Sequence, residues 1–238
     1  MSNVIHKPVL LKEAIEVLNP QPGEFFIDGT YGGGGHGKAI MERLGSGGRF
    51  LGIDWNEEAI NQGKLGTENL ILIQDNFANL PEILAKNDLP KADGLLLDLG
   101  ISSDELEKSG RGFSFQKDEP LLMTYSDTET PVRELIRQLN KEEMAEIIWQ
   151  YGEERWASKI ARAIKERLRK KPIATSKELA EIIAESVPGN YEHGRIHPAT
   201  RTFLALRIYA NKELANLKKI LENLDKILNN KGRITIIS

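Results

Sequence analysis

Short apolar runs that stop at a polar or acidic residue punctuate the first hundred positions. Phe25-Phe26-Ile27-Asp28, Phe50-Leu51-Gly52-Ile53-Asp54, Leu70-Ile71-Leu72-Ile73-Gln74 and Gly94-Leu95-Leu96-Leu97-Asp98 are unbroken runs of strand length, the pattern of strands covered on both faces. Before and between them, 10–18, 36–44, 57–64 and 80–86 repeat apolar residues at helical spacing. Alternation of this kind predicts an α/β fold with a parallel, Rossmann-like sheet and helices on both faces. Ligands of such sheets bind at the carboxyl ends of the strands, and Asp28, Asp54, Asp75 and Asp98 fall at or just past those ends.

The pattern changes after Gly100. Residues 102–125 are polar and contain glycine, and 130–187 read as helices only. Thr130 before Pro131 reads as a cap and first helical residue, while Asn140 with Glu143 and Thr175 with Glu178 have capping-box spacing. From Pro198 a helical signal runs to 228, broken near Asn211, and 232–238 read as a fifth strand. The expected division is a discontinuous sheet domain, 1–107 with 199–238, and an inserted all-helical domain, 108–198. The last strand is apolar and lies at a sheet edge, a surface that pairs readily with a partner, a second copy making a homodimer included.

Composition narrows the class. The chain has 238 residues, a net charge of -3 and no cysteine, which removes disulfides, thiolate metal sites and a cysteine nucleophile. No His, Asp and Glu spacing suggests a metal site, and no apolar run reaches the roughly 20 residues that span a bilayer. A cytoplasmic protein without a membrane segment is expected. The charge is segregated: Arg155, Lys159, Arg162, Lys165, Arg167, Arg169, Lys170 and Lys171 crowd one stretch with few acidic residues. Arg155, Lys159, Arg162 and Arg169 share a face apart from Trp156, Ile160, Ala163, Ile164 and Leu168, so one face packs and the other meets solvent or RNA phosphates.

Asp28-Gly29-Thr30-Tyr31-Gly32-Gly33-Gly34-Gly35-His36-Gly37 reads as a cofactor loop, because glycines admit positive φ and close approach of a ligand to the backbone. A dinucleotide fingerprint places its glycines directly after the strand. Here Asp28 precedes them and Asp54 ends the next strand, an order that suits S-adenosylmethionine better: Asp54 takes both ribose hydroxyls, and Gly32, Gly34 and Gly35 pass close to the methionine part. Asp75 and Phe77, just beyond the third strand, suit the adenine amine and ring. Asp98, with Ser102 and Ser103, stands where this architecture presents groups to the transferred methyl and its acceptor. For the exocyclic amine of a base, a hydrogen-bond acceptor and in-line placement of the donor supply most of the acceleration.

Arg111, Phe113 and Phe115 interleave a cation with aromatic rings, the combination that stacks an unpaired base. His197-Pro198-Ala199-Thr200-Arg201 opens a helix, with His197 at its start and Arg201 and Arg207 as candidates for phosphates.

These residues together resemble the bacterial small-subunit ribosomal RNA methyltransferase H family, also called MraW. The resemblance rests on His6-Lys7-Pro8-Val9-Leu10-Leu11, Asp28-Gly29-Thr30 with Gly34-Gly35-His36, Ile53-Asp54, Asp98-Leu99-Gly100-Ile101-Ser102-Ser103, Arg111-Gly112-Phe113-Ser114-Phe115 and His197-Pro198-Ala199-Thr200-Arg201-Thr202-Phe203. It implies methylation of the exocyclic N4 amine of a cytosine in the decoding region of 16S rRNA, on free rRNA or the small subunit. It also implies S-adenosylmethionine contacts at Gly34, Gly35, His36, Asp54, Phe77 and Asp98. Glu105 stands where the family has a cofactor-touching glutamine, and 120–126 departs from the family pattern. The chain also stops short of the family's C-terminal segment. Two rivals remain: a nicotinamide-dependent oxidoreductase, and an rRNA-binding or ribosome-assembly module that keeps the fold without turnover.

Overall fold

A computed structural model describes residues 8–63 and 69–238, apart from the side chains of Glu58, Gln62, Ser103, Asp104, Lys108, Glu192 and His193. His6, Lys7 and the expected helix end at Lys64 therefore lie outside the described residues. The chain divides into two compact units, Met1–Ile101 with Ala215–Ser238, and Ser102–Leu214.

In the first unit, strands β1 (Phe25–Asp28), β2 (Arg49–Asp54), β3 (Leu70–Gln74), β4 (Ala92–Asp98) and β5 (Leu228–Ile237) form one parallel sheet in the order β3-β2-β1-β4-β5. Helices α1 (Leu11–Leu18), α2 (Gly35–Leu44), α3 (Glu57–Gly63) and α4 (Leu80–Lys86) connect the first four strands or precede them. Side chains of successive strand residues point to opposite faces. Ile27, Leu51, Ile53, Leu95 and Leu97 accordingly join Leu80, Ile83, Leu84, Ile220 and Ile227 in one core layer. Phe26, Phe50 and Leu96 meet Ile15, Leu18, Ile40 and Leu44 in the other. The chain reverses its winding between β1 and β4, the position where ligands of doubly wound sheets bind.

Gly94 makes that junction possible. It is the register partner of Phe26, whose ring fills the space of a side chain: a Cβ there would lie 2.1 Å from Phe26 Cε1. Phe26 is fully buried and cannot swing away. Gly94→Ala is expected to lower stability by about 1–3 kcal/mol, the usual cost of overpacking, read as an earlier urea midpoint. An unchanged midpoint would show that the sheet yields at this point.

The second unit contains α5 (Ser103–Lys108), α6 (Val132–Gln138), α7 (Lys141–Gly152), α8 (Ala157–Leu168), α9 (Ser176–Ser186) and α10 (Thr200–Ala210). The Asn140 and Glu143 side chains each accept the other's backbone N–H, at 2.9 and 2.8 Å, and close the expected capping box of α7. At α9, Thr175 caps the Glu178 N–H, but Glu178 reaches one residue further back and accepts from Ala174 N–H at 2.8 Å. Lys165 of α8 donates to the carbonyls of Ile136, Arg137 and Leu139, satisfying the orphaned carboxyl end of α6.

Several expectations need correction. Pro131 rather than Thr130 occupies the cap position of α6, and the helix begins at Val132. The stretch 102–125 contains α5. β5 starts at Leu228, four residues early, because an irregularity opposite Ala92 and Gly94 lets the strand pair there before resuming at Arg233. Residues 199–214 fall in the second unit rather than with the sheet: α10 packs on α7, where Gly152 leaves room for the Arg201 carbonyl, 2.4 Å from where a Cβ would sit. After α10 come α11 (Glu213–Leu221) and α12 (Leu224–Ile227). No helix among the described residues is long and apolar enough to cross a membrane.

Candidate functional site

Three carboxylates stand at the carboxyl ends of adjacent strands β2, β1 and β4. Asp28 is buried, and its Oδ1 accepts from Thr30 N–H at 3.0 Å and from the Thr30 hydroxyl at 3.3 Å. The Thr30 hydroxyl oxygen in turn accepts from Asp98 N–H at 2.7 Å. Thr30, two residues past a strand end as a short hydroxyl residue often is, thus ties the ends of β1 and β4 together; only that spacing in the sequence hints at it. Burial pushes the Asp28 carboxyl up to about 7; the Thr30 bonds oppose the rise, and the charges of Asp54 and Asp98 add to it. Burial likewise pushes Asp54 up, against the N–H groups of Asn56, Gly32 and Trp55.

The glycine loop is held down by this rim. Asp54 Oδ2 accepts from Gly32 N–H at 2.7 Å while Oδ1 accepts from Asn56 N–H at 2.8 Å. Gly32 and Gly34 both take positive φ, +51° and +72°, and Gly34 is the cap of α2 with no side-chain partner for the helix N-terminus. The glycines serve two purposes. A Cβ on Gly34 would strike the Tyr31 hydroxyl, and one on Gly35 would strike the Pro8 ring, so these two make room for the loop's own packing. Gly33 instead faces open space, with nothing within 4 Å of a Cβ position. That stretch of backbone is open to close approach.

His36, in the first turn of α2, is buried; its Nε2 lies 3.0 Å from the Val9 carbonyl and its Nδ1 3.9 Å from Asp98 Oδ2. The role of Val9 has no signal in the sequence, since the contact joins residues 27 apart through a backbone atom. Electrostatics then discriminate between cofactors. A pyrophosphate would add negative charge beside Asp28, Asp54 and Asp98, whereas the sulfonium and ammonium groups of S-adenosylmethionine offset it.

Past β3, Asp75 Oδ1 accepts from Asn76 N–H at 2.6 Å and Asn79 Nδ2 at 2.8 Å, shaping the turn that seats Phe77. Phe77 is only 7% exposed and belongs to the core layer; its Cβ would lie 3.0 Å from a Cβ on Gly29.

Within the second unit, Ser102 and Glu105 form a capping box at α5: Ser102 Oγ accepts from Glu105 N–H at 3.1 Å, and Glu105 Oε2 accepts from Ser102 N–H at 2.9 Å and its hydroxyl at 2.8 Å. Ser-x-x-Glu spacing announces this motif, and both side chains are engaged in it. The Ser103 side chain lies outside the described residues. Arg111 donates to the Thr124 carbonyl and hydroxyl and pairs with Asp127 at 2.8 Å, bracing the segment 120–126. Buried Asn211 holds the same segment, accepting from Tyr125 N–H and donating to the Met123 carbonyl, both at 2.8 Å. Phe113 is buried and stacks on Tyr125 at 5.2 Å, whereas Phe115 is half-buried and stacks on exposed His197.

Arg201 donates to the Glu153 carbonyl at the end of α7. Arg207 does not face solvent for phosphate: it is paired bidentately with Glu213 at 2.8 and 3.0 Å. On α8 and at its ends, Arg155, Lys159, Arg162 and Arg169 are exposed. Lys159 and Arg155 lie over the Trp156 ring, 4.4 and 5.8 Å from its centre, and Arg162 faces Glu166 at 3.6 Å. Lys165, Arg167 and Lys171 are engaged with neighbouring helices or their caps, so the basic face is narrower than the count of cations suggests.

The model of the MraW methylase family matches residues 3–238. The chain belongs to that family. Ribosomal RNA small subunit methyltransferase H of Syntrophotalea carbinolica is 43% identical, over 98% of this chain and 76% of that one. The protein of that name from Clostridium botulinum strain Kyoto is 41% identical, over 98% of this chain and 76% of its own length. Among solved structures, an S-adenosylmethionine-dependent O-methyltransferase from Thermotoga maritima overlays only in part, with TM-score 0.33 and 17% identity over 42% of this chain and 37% of that one. As an MraW methylase the chain draws its methyl group from S-adenosylmethionine, and the loop, the carboxylate rim and the open backbone at Gly33 are compatible with that donor.

Proposed function

We propose that this MraW methylase transfers a methyl group from S-adenosylmethionine to the exocyclic N4 amine of a cytosine in the decoding region of 16S rRNA, in the cytoplasm. The observation that carries the reading is Asp98, an acceptor about one-third exposed at the carboxyl end of β4 and at the switch point of the sheet. The names of the relatives, which specify small-subunit ribosomal RNA, supply the substrate class.

In this reading Asp54 takes the ribose hydroxyls, beside the backbone N–H groups of Gly32, Trp55 and Asn56 from which it already accepts. Gly32, Gly34, Gly35 and His36 line the methionine part, and buried Asp28 holds the start of the loop through Thr30. Asp75 and the edge of Phe77 border the adenine. The donor supplies an electrophilic methyl on sulfur. Asp98 would accept a hydrogen bond from the amine and stabilise the positive charge that develops on nitrogen as the nitrogen–methyl bond forms and the methyl–sulfur bond breaks, the amine then giving up its proton to Asp98 or to water. A base held in a duplex has to be extruded first. Tritium from labelled donor should enter 16S rRNA when this chain is incubated with unmethylated small subunits, and its absence would contradict the reading.

The α8 face is the proposed phosphate-binding surface. Reversing Arg162 and Arg169 to glutamate should weaken RNA binding several-fold or more and flatten the salt dependence by about one unit of slope for each phosphate left unneutralised. Unchanged affinity and slope would remove α8 from the interface.

A further inference from the structure

Phe115 and His197 stack at 4.4 Å between ring centres with 15° between their planes, and Phe203 meets Phe115 edge-on at 5.5 Å. The arrangement is layered from inside outward: Phe203 is buried, Phe115 half-buried and His197 exposed. Each layer restrains the next. His197 cannot spin freely, because its Nδ1 accepts from Ala199 N–H at 3.1 Å, and Ala199 is itself fully buried at the start of α10. Arg195, Ile196 and His197 are exposed in succession, so a cation stands two residues from the ring. An ordered ring on a hydrophobic backing, with a cation nearby, is what a protein presents to an unpaired base and its phosphate. Of the other rings of this unit, Trp149 is exposed on α7, and two more are already engaged. Phe113 is buried against Tyr125, and the Trp156 ring already has Lys159 and Arg155 over it.

We infer that His197, backed by Phe115, is a stacking platform for an unpaired base of the substrate RNA, with Arg195 meeting an adjoining phosphate. The inference rests on the rRNA-methylation reading and assigns part of its specificity to one ring. Stacking of a base on a protein ring is commonly worth about 1–3 kcal/mol, or roughly 5- to 150-fold in affinity.

Three substitutions separate stacking from the cap that His197 also provides. His197→Ala removes both ring and acceptor, His197→Phe keeps a ring without the acceptor, and His197→Asn keeps an acceptor without the ring. The probes are a single-stranded RNA carrying the fluorescent base 2-aminopurine, whose emission is quenched on stacking, and the KM for unmethylated small subunits. Quenching by the unsubstituted chain is expected, with KM raised about tenfold or more in the Ala and Asn variants, kcat little changed, and KM within about twofold for Phe. If Asn behaves like the parent and Phe like Ala, His197 is only a cap and the inference falls. Absence of quenching by the parent chain would also overturn it. Failure of the parent chain to methylate subunits while it quenches 2-aminopurine would instead sink the methylation reading and leave the platform standing.

Discussion

Asp98→Ala should abolish most methyl transfer, lowering the single-turnover rate by roughly a thousandfold, while donor binding weakens far less. The size follows from what the residue contributes: removing one preorganised group that stabilises developing charge typically costs about a hundred- to a thousandfold, and Asp98 is the carboxylate proposed to face the amine. Folding should be little affected. The backbone N–H of Asp98 donates to the Thr30 hydroxyl, and that bond survives the substitution. Asp98→Asn retains an oxygen acceptor without the charge and should fall between the two. A variant that keeps near-parental turnover would move the catalytic role elsewhere. Single-turnover transfer with saturating donor separates chemistry from binding.

The second large effect concerns pH. The Asp28 carboxyl ionises near 3.8 in the unfolded chain and is pushed up to about 7 by burial in the folded one. The folded state therefore holds an extra proton between those values, so stability falls as pH rises from about 4 and stops falling once pH exceeds about 7. At about 1.4 kcal/mol per pH unit across that window, the loss attributable to Asp28 between about pH 5 and about pH 8 is about 3 kcal/mol. Asp54, raised by the same cause, acts in the same direction. Asp28→Asn keeps an oxygen for the Thr30 N–H but cannot ionise. The variant should lose about 3 kcal/mol less than the parent over that range in urea titrations, becoming the more stable of the two on the alkaline side. Parallel pH profiles would mean that water or a counter-charge reaches Asp28.

Much of the sheet unit is legible in the sequence. β1, β3 and α4 fall where the apolar runs and helical spacing end, because a strand buried on both faces has no polar position until it leaves the core, and that position is where the rim carboxylates lie. The capping box at Asn140 is readable for the same reason, both partners being local. The box at Ser102 has the same local pattern, but the catalytic reading of those serines obscures it. What escapes the sequence is long-range. Tyr31 fills the space left by Gly34, Gly52 and Gly63, Asn211 pins a segment more than eighty residues earlier, and buried Glu154 accepts from the Tyr191 hydroxyl. None of these has a periodic signature, since each depends on which surfaces the fold brings together. Side-chain engagement is equally invisible: Arg111 and Arg207 look like phosphate ligands in a string of letters, yet each is occupied by its own loop or helix.

The most direct test of the account is mass spectrometry of nucleosides from unmethylated small subunits incubated with this chain and S-adenosylmethionine, beside the Asp98→Ala variant. N4-methylcytidine formed by the parent chain and absent with the variant is the predicted result. Methylation at another position of the base, or N4-methylcytidine formed equally by both proteins, would contradict it.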